Sequence, residues 1–190
     1  MLGVESGTVI EGIEWERNPG EQVTLVTRVR PHKRRAGRCG ICGRRCPGYD
    51  HGEGRRRWRA LDLGTLRAEL EAEAPRVNCR GHGVVVAAVP RARHGAAHTR
   101  AFEDTIAWLA CVTSKTTITQ LMRVGWRAVG HIITRVAAEA GAGQDRLAGL
   151  ARIGIDEISY RRGFRYLVVV VDHDSGRLVW AAPESVRNSV

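Results

Sequence analysis

The sequence predicts an α+β protein, with strands in its first half and at its end and helices between them. Apolar residues alternate loosely with polar ones over the first 90 residues and again after residue 152. From about residue 97 to 140 they recur at helical spacing. The predicted division is an N-terminal β-hairpin at 1–32, a β-rich module at 33–92, a helical region at 97–140 and three strands at 152–190.

The composition argues against a membrane-spanning or largely disordered chain. Of the 190 residues, 43% are hydrophobic, which suits a folded protein with a core. No run of about 18 apolar residues is present. The acidic N-terminus also lacks the continuous apolar stretch of a secretory signal. We therefore expect a cytoplasmic protein with no membrane partner.

Positive charge is concentrated in one segment. The net charge is +10, and residues 28–59 contain twelve Lys or Arg against two acidic residues. Basic clusters of this kind favour polyanions, of which nucleic acid is the commonest. Within the segment, Arg55, Arg56 and Arg57 are candidate contacts to DNA phosphates. The alternative is a solvated basic face without a specific partner.

Turn signals divide the strand-forming regions. An Asn-Pro-Gly sequence at 18–20 separates two apolar runs and predicts a hairpin. Gly64 separates two further strands, and "GVVVAAV" is a strand that ends at Pro90. The last three strands are predicted to form a meander over Ile153–Ser159, Tyr166–Asp172 and Arg177–Ala182.

Two matched pairs of metal-ligand residues lie in the β-rich module. Cys39-x2-Cys42 has the usual spacing of a zinc knuckle, and Cys79-x2-His82 supplies a second pair. Glycines beside the ligands permit tight turns. Together the two pairs predict a zinc-binding module with a tetrahedral site of three Cys and one His. Four protein ligands leave no open position, so the zinc would be structural.

Other cysteines leave alternatives open. Cys46 lies four residues after Cys42 and would be able to replace one ligand, and His51 is a reserve ligand. The cysteines would also be compatible with ordinary reduced thiols. Cys111 lies on an apolar helix face and is expected in the core.

The helical region predicts a helix-turn-helix. Thr99 is a plausible N-cap for a first helix that contains Phe102 and Ile106. Two further helices are then separated by a break at Val124-Gly125, and the second begins near Trp126. A plain helical hairpin is the alternative.

The candidate DNA contacts of the helical region follow from this arrangement. Residues near the N-terminus of a recognition helix face base edges in the major groove. Arg127 is therefore a candidate base or phosphate contact and His131 lies on the same polar side, while Arg123 and Lys115 are closer to the DNA backbone.

Several stretches together resemble the ISL-three (ISL3) family of bacterial insertion-sequence transposases. "RCGICGRRCPGYDHG" and "RVGWRAVGHIITRV" are similar to the zinc-binding and helix-turn-helix regions of that family. "RIGIDEISYRRGFRYLVVVVDHDSGRLVWAA" is similar to the start of its catalytic domain. The resemblance covers residues 1–182 and is most specific at Gly154-Ile155-Asp156-Glu157 and at the two ligand pairs.

The resemblance implies that residues 152–190 begin an RNase H-like fold. Asp156 would be the first of three acidic catalytic residues that hold Mg²⁺ for attack on a phosphodiester. Glu157 lies on the opposite strand face, and Asp172 is expected to cap a turn. After Ala182 the sequence does not continue with the family's second Asp and its Glu. We therefore expect Mg²⁺ only in an intact catalytic domain and no cleavage by this chain alone.

Three hypotheses follow. The chain is the N-terminal part of a truncated transposase that binds the terminal inverted repeats in double-stranded DNA without catalysis. Alternatively, a second polypeptide supplies the missing carboxylates, or the chain is a stand-alone DNA-binding regulator or an inhibitor of the intact transposase. The apolar strand "YLVVVVD" would then pair in a homodimer or with a full-length transposase.

Overall fold

The computed structural model describes residues 7–17, 23–89, 91–143, 145, 147–161 and 165–183. The predicted turn at 18–20, Pro90 and residues 162–163, between the first two strands of the predicted meander, lie outside these residues. Two compact units, Met1–Ala140 and Gly141–Val190, make up the chain. Their elements are β1 (Thr8–Glu16), β2 (Thr24–Pro31), β3 (Gly48–Asp50), β4 (Arg55–Arg59), β5 (Arg67–Glu73), β6 (Arg76–Cys79), β7 (Gly83–Val86), α1 (Arg100–Val112), α2 (Lys115–Leu121), α3 (Trp126–Gly141), β8 (Ile153–Arg161), β9 (Arg165–Asp172) and β10 (Leu178–Pro183).

The first unit contains a four-stranded sheet with the order β1-β2-β5-β4. The antiparallel pairing of β1 and β2 confirms the predicted hairpin. β2 and β5 pair in parallel, and β4 runs antiparallel to β5. Because strand residues alternate between faces, one face supplies a core of Val29, Trp58, Ala60, Ala68, Leu70, Ala72 and Ala74.

The opposite face of this sheet carries ion pairs centred on Glu71. Its carboxylate accepts hydrogen bonds from Arg28, Arg55 and Arg57 at 3.2, 3.3 and 2.9 Å. Arg57 also donates two 2.6 Å hydrogen bonds to Glu16. Burial acts to raise the pKa of Glu71, but the arginine hydrogen bonds outweigh it and the pKa is lowered. Acidic residues of β1 and β5 therefore neutralise part of the basic segment.

A smaller antiparallel sheet has the order β3-β6-β7. Cys79 ends β6 and pairs with Gly83, the first residue of β7. The tight turn between them contains His82, whose backbone N–H donates to the Cys79 carbonyl at 3.2 Å. This turn places one Cys and one His side by side.

The three helices pack around one apolar cluster. Thr99 caps α1 as predicted, with its side chain accepting from the Phe102 N–H at 3.3 Å. The predicted break separates α2 from α3, which begins at Trp126. The buried residues of the cluster are Phe102, Ile106, Ile118, Val129 and Ile132. No helix among the described residues is long and apolar enough to cross a membrane.

The prediction that Cys111 lies in the core is wrong, because its side chain is exposed. On α1, Leu109 and Ala110 pack against the helical cluster instead. Cys111 lies one position further around the helix, and its Sγ donates to the Ala107 carbonyl at 3.5 Å.

A buried carboxylate connects α1 to α3 and to the segment before α1. Glu103 is 0% exposed and forms ion pairs with Arg93 and Arg135. Arg93 is also buried and donates to Glu139 and Asp104, each at 2.6 Å. The charge of Glu103 is thus balanced by the two arginines that pair with it, Arg93 and Arg135.

The second unit is a three-stranded antiparallel meander with the order β10-β9-β8, which confirms the predicted strands. Asp172 ends β9 and shapes the next turn. Its carboxylate accepts from the Ser175 hydroxyl at 2.6 Å and from the Asp174 N–H at 3.1 Å. The Ser175 hydroxyl, followed by the Asp174 N–H, lowers the pKa of Asp172. Asp172 therefore has the predicted turn-forming role.

Removal of the Glu103 charge is expected to destabilise the first unit. Glu103→Gln should lower the free energy of unfolding by about 3–5 kcal/mol, because it removes the buried negative charge that pairs with Arg93 and Arg135. Chemical denaturation followed by circular dichroism measures this loss. The matched control is Glu73→Gln, since Glu73 is exposed and bonds Arg55 at 2.9 Å; we expect a loss below about 1 kcal/mol. Equal losses in both variants would contradict the prediction.

Candidate metal centre and nucleic-acid interface

Four side chains of the first unit form one cluster: Cys39, Cys42, Cys79 and His82. Their ligand atoms all lie within 4.8 Å of one another. The Cys42 and Cys79 sulfurs are 3.8 Å apart, and His82 Nδ1 lies 3.7 Å from Cys39 Sγ and 3.5 Å from Cys79 Sγ. Two thiolates bound tetrahedrally at about 2.3 Å from zinc would be about 3.8 Å apart. The donor set and its spacing therefore fit zinc.

The turn around Cys39 is shaped by its backbone. The Gly43 N–H donates to the Cys39 carbonyl at 2.9 Å, and Gly43 has a φ of 70°, which L-residues with side chains rarely adopt. The Cys39 sulfur accepts from the Ile41 N–H at 3.4 Å. These contacts bring Cys42 back beside Cys39.

The Cys79 thiol has a lowered pKa, which favours metal binding. A hydrogen bond from the Gly81 N–H and another from the His82 ring lower the pKa of Cys79 to about 6. Most of this group is therefore thiolate at neutral pH, and the thiolate is the form that binds metal ions.

The two alternative ligands, Cys46 and His51, are not members of the four-residue cluster. Cys46 donates its Sγ proton to the Arg44 carbonyl at 3.4 Å. Burial and then the neighbouring Cys79 thiol raise the pKa of Cys46. His51 is exposed. Among the described residues, only the predicted four form such a group.

The helix-turn-helix places two of the predicted cations in internal contacts. Arg123 lies in the turn with a φ of 50°, and its guanidinium pairs with Asp62. Lys115 begins α2, and its Nζ lies 4.4 Å from the centroid of the Trp126 ring. Both contacts hold the turn and the start of α3.

The exposed side of α3 presents the remaining candidates. Arg127 and His131 are both exposed, and their spacing of four residues places them on the same side of the helix. Val129 and Ile132 face the core. The first two turns of α3 therefore offer a positive, hydrogen-bonding surface to solvent.

The three consecutive arginines that begin β4 divide between the two faces of the sheet. Arg55 and Arg57 belong to the ion pairs around Glu71. Arg56 is exposed and lies 5.6 Å from the centroid of the Trp58 ring. A phosphate contact by Arg55 or Arg57 would have to compete with existing carboxylate partners, whereas one by Arg56 would not displace such a pair in the described residues.

Asp156 belongs to the second unit, where it lies on β8 opposite Val169. It is exposed and accepts a 2.8 Å hydrogen bond from the Glu157 N–H. Its catalytic role stays a prediction.

The residues that hold the helix turn and the Cys39 turn in place were not identified from the sequence. Asp62 pairs with Arg59 at 2.7 Å and with Arg123, 61 positions away. A Cβ on Gly40 would lie 2.7 Å from His94 Nδ1 and 2.6 Å from the Val86 carbonyl oxygen, so the Cys39 turn packs closely on His94. Neither the Asp62–Arg123 pair nor the contact of Gly40 with His94 has a periodic sequence signal, because each joins segments that are distant in sequence.

Comparison with known proteins identifies both modules. Residues 35–82 match a family model of the zinc finger of transposase IS204/IS1001/IS1096/IS1165. Residues 87–137 match a model of the helix-turn-helix domain of transposase family ISL3. A zinc ribbon followed by this helix-turn-helix defines the chain as one that carries transposase DNA-binding domains. The chain thus carries a zinc ribbon and a helix-turn-helix domain similar to those of ISL3-family transposases.

Two curated relatives support this assignment. Over 184 residues the chain is 59% identical to the transposase for insertion sequence element IS1557 of Mycobacterium tuberculosis, in strains CDC 1551 / Oshkosh and H37Rv. The alignment covers 96% of this chain and 41% of each relative, so the chain spans about two-fifths of their length. No solved structure matches it significantly.

Loss of one cluster thiol is expected to release zinc. Cys39→Ser should reduce the zinc content of the purified chain from one ion to near zero and lower its melting temperature, because the metal joins two turns that are distant in sequence. Atomic emission and thermal denaturation measure both effects. Cys111→Ser is the control for loss of a thiol, and Cys46→Ser tests the ligand set. Loss of zinc in Cys46→Ser but not in Cys39→Ser would contradict the predicted ligands.

Proposed function

We propose that this chain binds double-stranded DNA at the terminal inverted repeats of its insertion sequence. The observation that carries the proposal is the exposed Arg127 and His131 on the first two turns of α3. A recognition helix presents this part to the major groove. The zinc ribbon lies in the same compact unit, so both modules would contact one DNA duplex.

The proposed zinc ion is structural. Cys39, Cys42, Cys79 and His82 would hold it and leave no position for water or substrate. When bound, zinc supplies a crosslink between the Cys39–Cys42 turn and the Cys79–His82 turn. The chain's own residues supply the DNA contacts.

The contacts divide into base reading and phosphate binding. Arg127 would contact a base edge or an adjacent phosphate, with His131 beside it, and Lys115 would lie near the DNA backbone. Arg56 would bind a phosphate, since no carboxylate among the described residues pairs with it in the sheet. We assign structural roles to Arg55, Arg57 and Arg123, because each already forms an ion pair.

For the second unit we propose the start of an RNase H-like catalytic domain. Asp156 would be the first carboxylate ligand of Mg²⁺, and two-metal phosphodiester chemistry requires further carboxylates. Glu157 lies on the other face of β8, and Asp172 is engaged in its turn. Among the described residues, Asp156 therefore has no acidic partner placed to share a metal ion, and we propose that this chain alone does not cleave DNA.

A stand-alone regulator, or an inhibitor of an intact transposase, is the second candidate. The proposed DNA contacts all lie in the first unit, and none depends on Asp156. Large apolar side chains on the second unit, among them Ile155, Ile158 and Trp180, are 51–68% exposed. Exposed apolar groups of this kind support pairing with a second copy or with a full-length transposase.

Loss of the Arg127 side chain is expected to weaken sequence-specific binding. Arg127→Ala should raise the Kd for a duplex carrying the terminal repeats about ten-fold or more and reduce its preference over a shuffled duplex. Fluorescence anisotropy at fixed salt measures both quantities. Arg57→Ala is the matched control, since its guanidinium is bound by Glu16 and Glu71; we expect its Kd to stay within about two-fold of wild type for the folded protein. An unchanged Kd in Arg127→Ala would show that α3 is not the recognition helix.

Incubation with Mg²⁺ is expected to leave DNA intact. A labelled duplex that includes an element end should show no nicked or joined product with the 190-residue chain, because one carboxylate does not hold two metal ions. The same DNA should still be bound without Mg²⁺. Cleavage that disappears in Asp156→Ala would contradict the proposal. It would mean that other carboxylates join Asp156 in binding the metal ions.

A further inference from the structure

We propose that Trp126 reads a thymine methyl group in the DNA site and that Lys115 holds its ring in position. The inference rests on the proposed DNA-binding function and adds a residue that determines sequence preference. Trp126 is the first residue of α3, and its side chain is 54% exposed. Residues at this end of a recognition helix face base edges.

Trp126 is a large apolar side chain outside the helical core. On α3 the buried positions are Val129 and Ile132, with Ile133 and Val136 packed against them. Apolar surface that stays in water forgoes the favourable free energy of burial. Contact with an apolar group of a bound partner would recover part of this free energy.

Lys115 restrains the indole ring before DNA binds. Its Nζ lies 4.4 Å from the ring centroid, within the range of a cation–π interaction. Gly130, one turn further along α3, leaves room for this ammonium, because a Cβ there would be 3.2 Å from Nζ. A restrained side chain loses less conformational entropy when it binds, which favours affinity.

The chemistry of the major groove points to thymine. Its C5-methyl group is the apolar group on the base edges, and proteins read it by apolar contact. The Lys115 ammonium adds positive charge beside the ring, which favours the nearby phosphate backbone. Arg127 follows directly in the sequence and would contact a neighbouring base or phosphate. Trp126 would thus read a T next to the position that Arg127 reads.

Replacement of thymine by uracil removes only the methyl group, so it tests the contact from the DNA side. The full chain is titrated by anisotropy with a duplex that carries the terminal repeats, in which each thymidine is replaced in turn by deoxyuridine. We expect replacement at one thymine to weaken wild-type binding about four-fold, the value of one buried methyl-sized group. Trp126→Ala should bind the unmodified duplex at that weaker level and should not respond to the replacement.

Trp108→Ala is the matched control. Trp108 is 64% exposed but lies on α1, and its loss should leave the response to deoxyuridine unchanged. Because the deoxyuridine series is measured on the wild-type chain, the inference can be tested even where Trp126→Ala does not fold.

The outcomes separate the inference from the proposed function. Wild-type binding that prefers the repeats but responds to no deoxyuridine replacement would overturn the inference and leave the proposed function in place. The same holds for a Trp126→Ala variant that responds as the wild type does. Wild-type binding that does not distinguish the repeats from shuffled DNA would overturn the proposed function itself.

Discussion

A buried carboxylate, Glu103, holds the helices of this chain to the segment that follows the zinc ribbon. It lies between the guanidinium groups of Arg93 and Arg135, and without such partners a charge inside a protein costs several kcal/mol in lost hydration. Arg93 belongs to the segment before α1 and Arg135 to α3, so one carboxylate joins three parts of the first unit. The pairing holds α3 beyond its second turn, and the solvent-facing side of the first two turns carries Arg127 and His131, two of the proposed DNA contacts.

Charge pairing also decides which cations are available to DNA. The basic segment at 28–59 has a large excess of Lys and Arg in sequence, but the fold brings Glu16 and Glu71 onto Arg57. Asp62 similarly pairs with Arg123 in the turn before α3. A count of charges along a segment therefore overstates its attraction for phosphate, because carboxylates from distant strands neutralise part of it. The proposed specific binding would then depend on cations that stay exposed, such as Arg127.

The sequence predicted the elements whose signals are local. Thr99 capped α1 as expected, the helix break fell where Val124-Gly125 indicated, and the ligand atoms of the two pairs came within 4.8 Å of one another. It did not predict the parallel pairing of β2 with β5, because strand order depends on contacts between distant segments. It placed Cys111 in the core, since helical periodicity does not distinguish adjacent positions at the edge of an apolar stripe. The ion pairs of Arg55 and Arg57 with Glu71 were not predicted either, because Glu71 lies on another strand and is distant in sequence.

The zinc ribbon and α3, the proposed recognition helix, are connected by side-chain and backbone contacts as well as by the chain. Gly40, between two of the cysteines, packs on His94 so closely that a Cβ would lie 2.7 Å from its Nδ1. His94 follows Arg93, Arg93 binds Glu103, and Glu103 binds Arg135 on α3. A short series of packed and charged groups thus links the Cys39–Cys42 turn to α3. Residues joined in this way do not act independently, so substitutions at the metal ligands and at the DNA contacts should have coupled effects on binding. The metal in this arrangement would contribute to DNA recognition by fixing the position of a helix that it does not touch.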